Sequence, residues 1–252
     1  MRTLMFSLLM ACGGVPSVTD ATQGADASVV ADASAPNAKP DYCFPTEAGL
    51  QRVTTTPASP YFVKHPEAGT TPVHTVLFLP GGPGTSDVAQ ITFDDWLAEG
   101  GDRMKAMRVI VPYTAGASFG QRDADRGVAI VDEMLACFGG DPAHVHLGGT
   151  SNGGRAAFAL MLRHGDRFAT LLGAPGVFDG VSDSQLKTGL AGKAIYNGVG
   201  ELDTGWKANV TATHDRLTTL GLASELHILQ GQDHILTPEF DESVFYAFWS
   251  GH

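Results

Sequence analysis

From Asp41 onward the chain alternates short apolar runs with longer amphipathic ones. The short runs are Leu50–Thr55, Tyr61–Lys64, Val73–Leu79, Arg108–Val111, His144–Gly148, Thr170–Gly173, Lys193–Val199 and Glu225–Gln230. They are brief, largely apolar and bounded by turn-forming residues, which predicts strands. The longer runs are Ser86–Ala98, Arg122–Phe138, Ser151–Arg163, Lys207–Leu220 and Pro238–Trp249. Their apolar residues recur at helical spacing. Two leading strands, then strands alternating with helices, predict an α/β fold. Its sheet should be mostly parallel and eight-stranded, with helices on both faces. Only Asp179–Gly192 separates the sixth strand from the seventh, too little for a cap domain.

The first forty residues break this pattern. Met1-Arg2 is followed by an apolar stretch, Leu4–Ala11, too short to span a bilayer. Residues 1–11 read as an export signal. Gly13–Pro40 is rich in Ala, Ser, Asp, Gly, Val and Pro and holds no aromatic residue. Such a segment cannot bury enough apolar surface to offset chain entropy. It is expected to be a disordered tether, residues 12–40, ahead of a single domain, 41–252.

Charge and cysteine content narrow the setting. With 16 Lys and Arg against 27 Asp and Glu, the formal charge is −11. That disfavours nucleic acid and any membrane contact through a basic patch. The cysteines are Cys12, Cys43 and Cys137. If Cys12 is modified, Cys43 and Cys137 remain and could pair in an oxidising compartment, or stay as two buried thiols. A bridge would close a long loop, restricting the unfolded chain by about 4–5 kcal/mol.

The chemistry centres on Val145–Phe158, where an apolar strand runs through Gly149-Thr150-Ser151-Asn152-Gly153 into a helix-forming stretch. Gly-x-Ser-x-Gly between strand and helix is the pattern of a nucleophile elbow. Glycines two before and two after the serine remove side chains that would collide with neighbouring elements. The helix begins at the serine, so its free N–H groups point at the reacting carbonyl.

This layout resembles the α/β-hydrolase fold over Asp41–His252, with the serine after the fifth strand. The resemblance implies an acid and then a histidine downstream of Ser151. His234, just past the last strand, is the candidate base among His164, His214, His227, His234 and His252. Asp203, after the seventh strand in Gly200-Glu201-Leu202-Asp203, is the candidate acid. Asp179 is the alternative, and Glu201 is expected to face solvent. Backbone donors for an oxyanion are expected from Asn152 and from Gly82. Gly82 lies in Pro80-Gly81-Gly82-Pro83-Gly84, which is similar to a His-Gly-Gly-Pro-Gly loop of several α/β-hydrolases with Pro80 in place of the histidine.

Other chemistry is less well supported. His144-x-His146 suggests alternate strand residues on one face, but no third metal ligand lies nearby. Neither a phosphate loop nor a dinucleotide fingerprint is present. No metal and no cofactor are therefore expected.

The stretch Asp141–Gly154 also resembles secreted polyhydroxybutyrate-depolymerase-like and feruloyl-esterase-like proteins, a group that includes bacterial lipoproteins. Leu9-Met10-Ala11-Cys12 is similar to a lipobox, with an unusual Met10. These resemblances imply a serine ester hydrolase held at a membrane only by lipid on Cys12, in the periplasm or at the cell surface; a monomer is expected. Plain secretion and a cytoplasmic location remain alternatives. A peptidase of the same fold and a non-catalytic binding lipoprotein are the other functional readings.

Overall fold

The computed structural model describes residues 39–71, 73–116 and 121–252. The expected export signal 1–11, Cys12 and the expected tether as far as Ala38 lie outside the described residues. Lys39–His252 forms one compact unit.

Among the described residues, eight strands make one sheet: β1 (Leu50–Val53), β2 (Tyr61–Lys64), β3 (His74–Leu79), β4 (Met107–Pro112), β5 (Val145–Gly149), β6 (Thr170–Gly173), β7 (Ala194–Gly200) and β8 (Ser224–Leu229). Their spatial order is β1-β2-β4-β3-β5-β6-β7-β8. β2 pairs antiparallel with both β1 and β4. Every pairing from β4 through β8 is parallel. Central β3 and β5 are buried along their whole length, as expected of strands covered on both faces.

Among the described residues, seven helices lie between or after the strands: α1 (Ser86–Trp96), α2 (Gly101–Lys105), α3 (Gln121–Phe138), α4 (Asn152–His164), α5 (Asp183–Gly189), α6 (Lys207–Thr219) and α7 (Ser243–Ser250). They divide between the two faces. Ile130, Val131 and Met134 of α3 pack in one core with Phe158 and Met161 of α4 and Leu217 of α6. Phe93 and Trp96 of α1, Met104 of α2, and Phe245 and Trp249 of α7 fill the other. Strand residues alternate between the two cores: Leu77 and Leu79 join the first, Val76 and Phe78 the second. This is the mostly parallel, two-faced sheet expected from the sequence.

Four local features differ from that reading. α2 and α5 are short helices that the periodicity does not single out, being only 5 and 7 residues long. α7 begins at Ser243, not Pro238, because Thr237–Phe240 closes as a turn and buried Glu242 directs its carboxylate to the Glu99 amide. His144 leaves the strand for a short 3-10 turn and bonds Asp141, so it shares no strand face with His146. His146 is instead held between His74 and Thr170 at 2.9 and 3.0 Å.

The Cys43 and Cys137 sulfurs are bonded, tying the segment before β1 to the end of α3 across 94 positions. Among the described residues, the only helix between β6 and β7 is α5, so there is no cap domain.

Candidate active site

The turn between β5 and α4 places Ser151 at φ 55°, the one non-glycine residue with positive φ among those described. This is a strained conformation, costing about 1–3 kcal/mol, and strain of this kind gathers at functional sites. Surrounding bonds hold it. The Thr150 amide donates to Leu79 O at 3.1 Å, the Ser151 amide to Pro175 O at 2.8 Å, and the Ala174 amide to Gly149 O at 3.0 Å. The neighbouring glycines are required sterically. A Cβ on Gly149 would meet the Gly153 carbonyl oxygen at 2.5 Å, and one on Gly153 would strike the Leu79 and Pro80 carbonyls. The β3 loop therefore packs directly on the elbow.

A chain of side-chain hydrogen bonds leads to the serine. Asp203 Oδ2 accepts from His234 Nδ1 at 2.8 Å. His234 Nε2 faces Ser151 Oγ at 3.1 Å. The carboxylate fixes the tautomer, leaving Nε2 free to accept the hydroxyl proton. Asp203 is buried, and its second oxygen accepts from the Gly205 and Trp206 amides at 3.2 and 3.0 Å. All three bonds to the carboxylate are directional, and Asp203 cannot swing away from the imidazole without breaking them.

The two residues expected to supply oxyanion donors are in direct contact. Asn152 is the first residue of α4, so its N–H has no partner within the helix. Its side-chain amide donates to Gly82 O at 3.1 Å, tying the β3 loop to the elbow. Gly82 has φ +52°, a conformation that favours glycine. A Cβ on adjacent Gly81 would stand 3.2 Å from Ser151 Cβ, so the loop backbone lies against the serine.

The alternatives weighed on sequence occupy other places. Asp179 forms an ion pair with Arg155. Glu201 does more than face solvent: its carboxylate accepts from the Gly231 amide at 3.0 Å, pinning the base of the His234 loop. His164 pairs with Asp125, His214 with Ser224, and His227 with Glu225.

Sequence reasoning missed three residues around the site. Gly200 ends β7 where a Cβ would stand 2.5 Å from Gln232 O, so the His234 loop closes over it. The Trp206 ring stacks on His234, with centroids 5.6 Å apart and planes inclined by 27°. The Arg155 guanidinium sits 4.7 Å from the Trp206 ring centroid. Arg155 falls one helical turn after Ser151, but nothing in the sequence directs it to Trp206.

The sequence matches no family model and no curated relative. Solved structures do resemble the fold. An acetyl xylan esterase from Aspergillus awamori is similar at a TM-score of 0.62 and 12% identity, over 81% of this chain and 100% of that one. The fluorophosphonate-binding serine hydrolase F of Staphylococcus aureus aligns at 0.59 and 15% identity, over 76% and 91%. A ferulic acid esterase from the anaerobic fungus Anaeromyces mucronatus aligns at 0.58 and 17% identity, over 84% and 95%. Together with the sheet order and the elbow after the fifth strand, these likenesses identify the architecture as the α/β-hydrolase fold.

Proposed function

We propose that the protein is a serine hydrolase of carboxylic esters that works through an acyl-enzyme. The observation that carries this reading is the unbroken Asp203–His234–Ser151 hydrogen-bond chain ending on a serine held at positive φ. Ser151 Oγ attacks the ester carbonyl while His234 Nε2 takes its proton. The carbonyl oxygen becomes an oxyanion facing the Gly82 and Asn152 amides. Asp203 stabilises the imidazolium without taking its proton. As the tetrahedral intermediate collapses, His234 returns the proton to the departing alkoxide and the alcohol leaves. Water then repeats the cycle on the acyl-serine, releasing the acid and restoring Ser151. Every step is a proton transfer or acyl transfer that these groups supply themselves, with no cofactor.

Carboxylic esters are favoured over peptides by the absence of a cap domain among the described residues. The esterase names of the structural neighbours point the same way. We also propose that the chain acts outside the cytoplasm as a monomer anchored by lipid on Cys12. The lipobox-like Leu9–Cys12 supports the anchor, and the Cys43–Cys137 bond suits an oxidising compartment.

A fluorophosphonate probe should label Ser151, and a panel of aryl esters of graded acyl length should be hydrolysed faster than amino-acid anilides. Faster anilide cleavage would replace the esterase reading with a peptidase. An unlabelled Ser151 with no turnover would leave a binding protein on a hydrolase scaffold.

A further inference from the structure

Two hydrogen bonds, one at each ring nitrogen, define a line through the His234 imidazole but leave the ring free to swing about that line. The side chain is 32% exposed and sits on a loop, so packing from the core does not stop the swing. The Trp206 indole does, through its 5.6 Å, 27° stack. The same residue uses its backbone N–H to hold Asp203 Oδ1 at 3.0 Å. Trp206 therefore orients the acid with its main chain and the base with its ring.

The indole is itself held. Its ring packs on the Val177, Val199 and Val210 cluster. Arg155 lies over it at 4.7 Å and is fixed by an ion pair to Asp179. Arg155 belongs to the helix that carries the nucleophile, and its amide donates to Ser151 O at 3.0 Å. The segments bearing Ser151, Asp203 and Asp179 thus meet at one aromatic ring. An exposed Arg–Asp pair alone contributes little to stability, so its placement against the indole is better explained by orientation. An indole face also attracts a cation, so it favours the imidazolium formed during attack over the neutral ring before it.

We propose that Trp206, steadied by Arg155 and Asp179, is a positioning residue that sets the imidazole plane of His234 for proton transfer with Ser151. The proposal rests on the serine-hydrolase reading above. It is tested with Trp206→Ala, Trp206→Phe, Arg155→Met, Asp179→Asn and the Trp206→Ala/Arg155→Met double variant. The measurements are kcat and KM on an aryl ester, the rate of fluorophosphonate labelling, and the low-field proton resonance of His234 Nδ1–H.

Trp206→Ala should lower kcat and labelling rate by about 10- to 100-fold, the scale of a small misplacement, with KM little changed. It should also broaden the Nδ1–H resonance. Trp206→Phe should recover most of the rate. Arg155→Met should lose about 3- to 10-fold and Asp179→Asn less, and the double variant should be no slower than Trp206→Ala. The proposal is overturned if Trp206→Ala keeps its kcat, or if folded Trp206→Phe is as slow as the alanine variant. Should Trp206→Ala not fold, the exposed Arg155→Met and Asp179→Asn variants decide, and wild-type kcat in both overturns it. A wild-type protein that neither labels nor turns over sinks the hydrolase reading instead. The resonance then still tests the positioning role: if it is unchanged in Trp206→Phe and Arg155→Met, that role is overturned as well.

Discussion

Asp203 and His234 stand 31 positions apart in the chain yet share a 2.8 Å hydrogen bond. Parallel pairing of β7 with β8 brings this about, because Gly200 and Leu229 are register partners at the ends of the two strands. Both following loops leave the sheet at the same edge. The Glu201 amide bonds Leu229 O at 2.9 Å and the Leu202 amide bonds Gln232 O at 2.8 Å, so the loops are stitched together before either side chain is placed. Helix α6 and strand β8 fill the intervening sequence, and their length sets the spacing.

The hydrogen-bond chain predicts strongly non-additive kinetics. Ser151→Ala and His234→Ala should each lower ester hydrolysis by about 10⁴- to 10⁶-fold, and the double variant should be scarcely worse than either. Asp203→Asn should cost about 10⁴-fold, because an amide can hold the imidazole in the wrong tautomer. Steady-state rates on an aryl ester check this. Wild-type rates in any single variant would remove that residue from the catalytic unit.

Gly200 supplies a second prediction, about approach and not chemistry. A methyl group there would press on Gln232 O and displace the loop carrying His234. Gly200→Ala should lower kcat by about 10- to 100-fold and destabilise the fold by about 1–3 kcal/mol. Kinetics and thermal unfolding together read it, and a variant with unaltered kcat would mean the loop can shift without moving the imidazole.

How much of this was legible in the sequence depends on whether the cause is local. The elbow is local: strand, glycine, serine, glycine and helix are contiguous, and steric need dictates their identity. Asp203 and His234 follow from the order of elements, since each lies in the loop after a strand of a parallel sheet. Trp206 and Arg155 were hidden because their meeting is tertiary. No spacing links residue 155 to residue 206, and each alone reads as an ordinary helical or cap residue. Asp179 shows the converse: its position after β6 makes it a plausible acid, but the ion pair with Arg155 engages its carboxylate. The late start of α7 was hidden for a similar reason. Glu242 bonds an amide 143 positions away, which no window of sequence contains.

Glu242 gives a pH prediction. Burial, reinforced by the carboxylates of Glu99, Asp95 and Asp241, pushes its carboxyl up to about 7, although the Glu99 amide, 2.5 Å away, favours the charged form. A folded-state value above the ordinary carboxylate range means the folded state binds this proton more tightly than the unfolded state. Its contribution to stability is full below about pH 4.5 and is lost as pH rises through about 7. Glu242→Gln keeps an acceptor for the Glu99 amide and cannot ionise. Its melting temperature relative to wild type should therefore rise between pH 5 and pH 8, by a few degrees. A constant difference across that range would show that the carboxyl ionises alike in both states.

The last prediction concerns access. Among the described residues, β6 and β7 are joined through one 7-residue helix, and no cap stands over the serine. The surface beside the site is apolar in places: Leu202 adjoins Asp203 and is 55% exposed, and Ile235 adjoins His234 and is 62% exposed. An open site of this kind needs no lid movement before substrate enters. It also buries little of a small ester, so remote binding energy contributes little to lowering the barrier. Small aryl esters should show high KM values and a shallow dependence on acyl length. The rate should rise smoothly as substrate passes its aggregation threshold, because no closed state has to be opened at an interface. A sharp jump at that threshold would require a mobile cover over Ser151. Leu202→Ser and Ile235→Ser should slow turnover of aggregated or polymeric esters more than that of short soluble ones, because these side chains meet the bulk of the substrate and not its scissile bond. Equal effects on both substrate types would instead assign the two residues to the geometry of the adjoining acid and base.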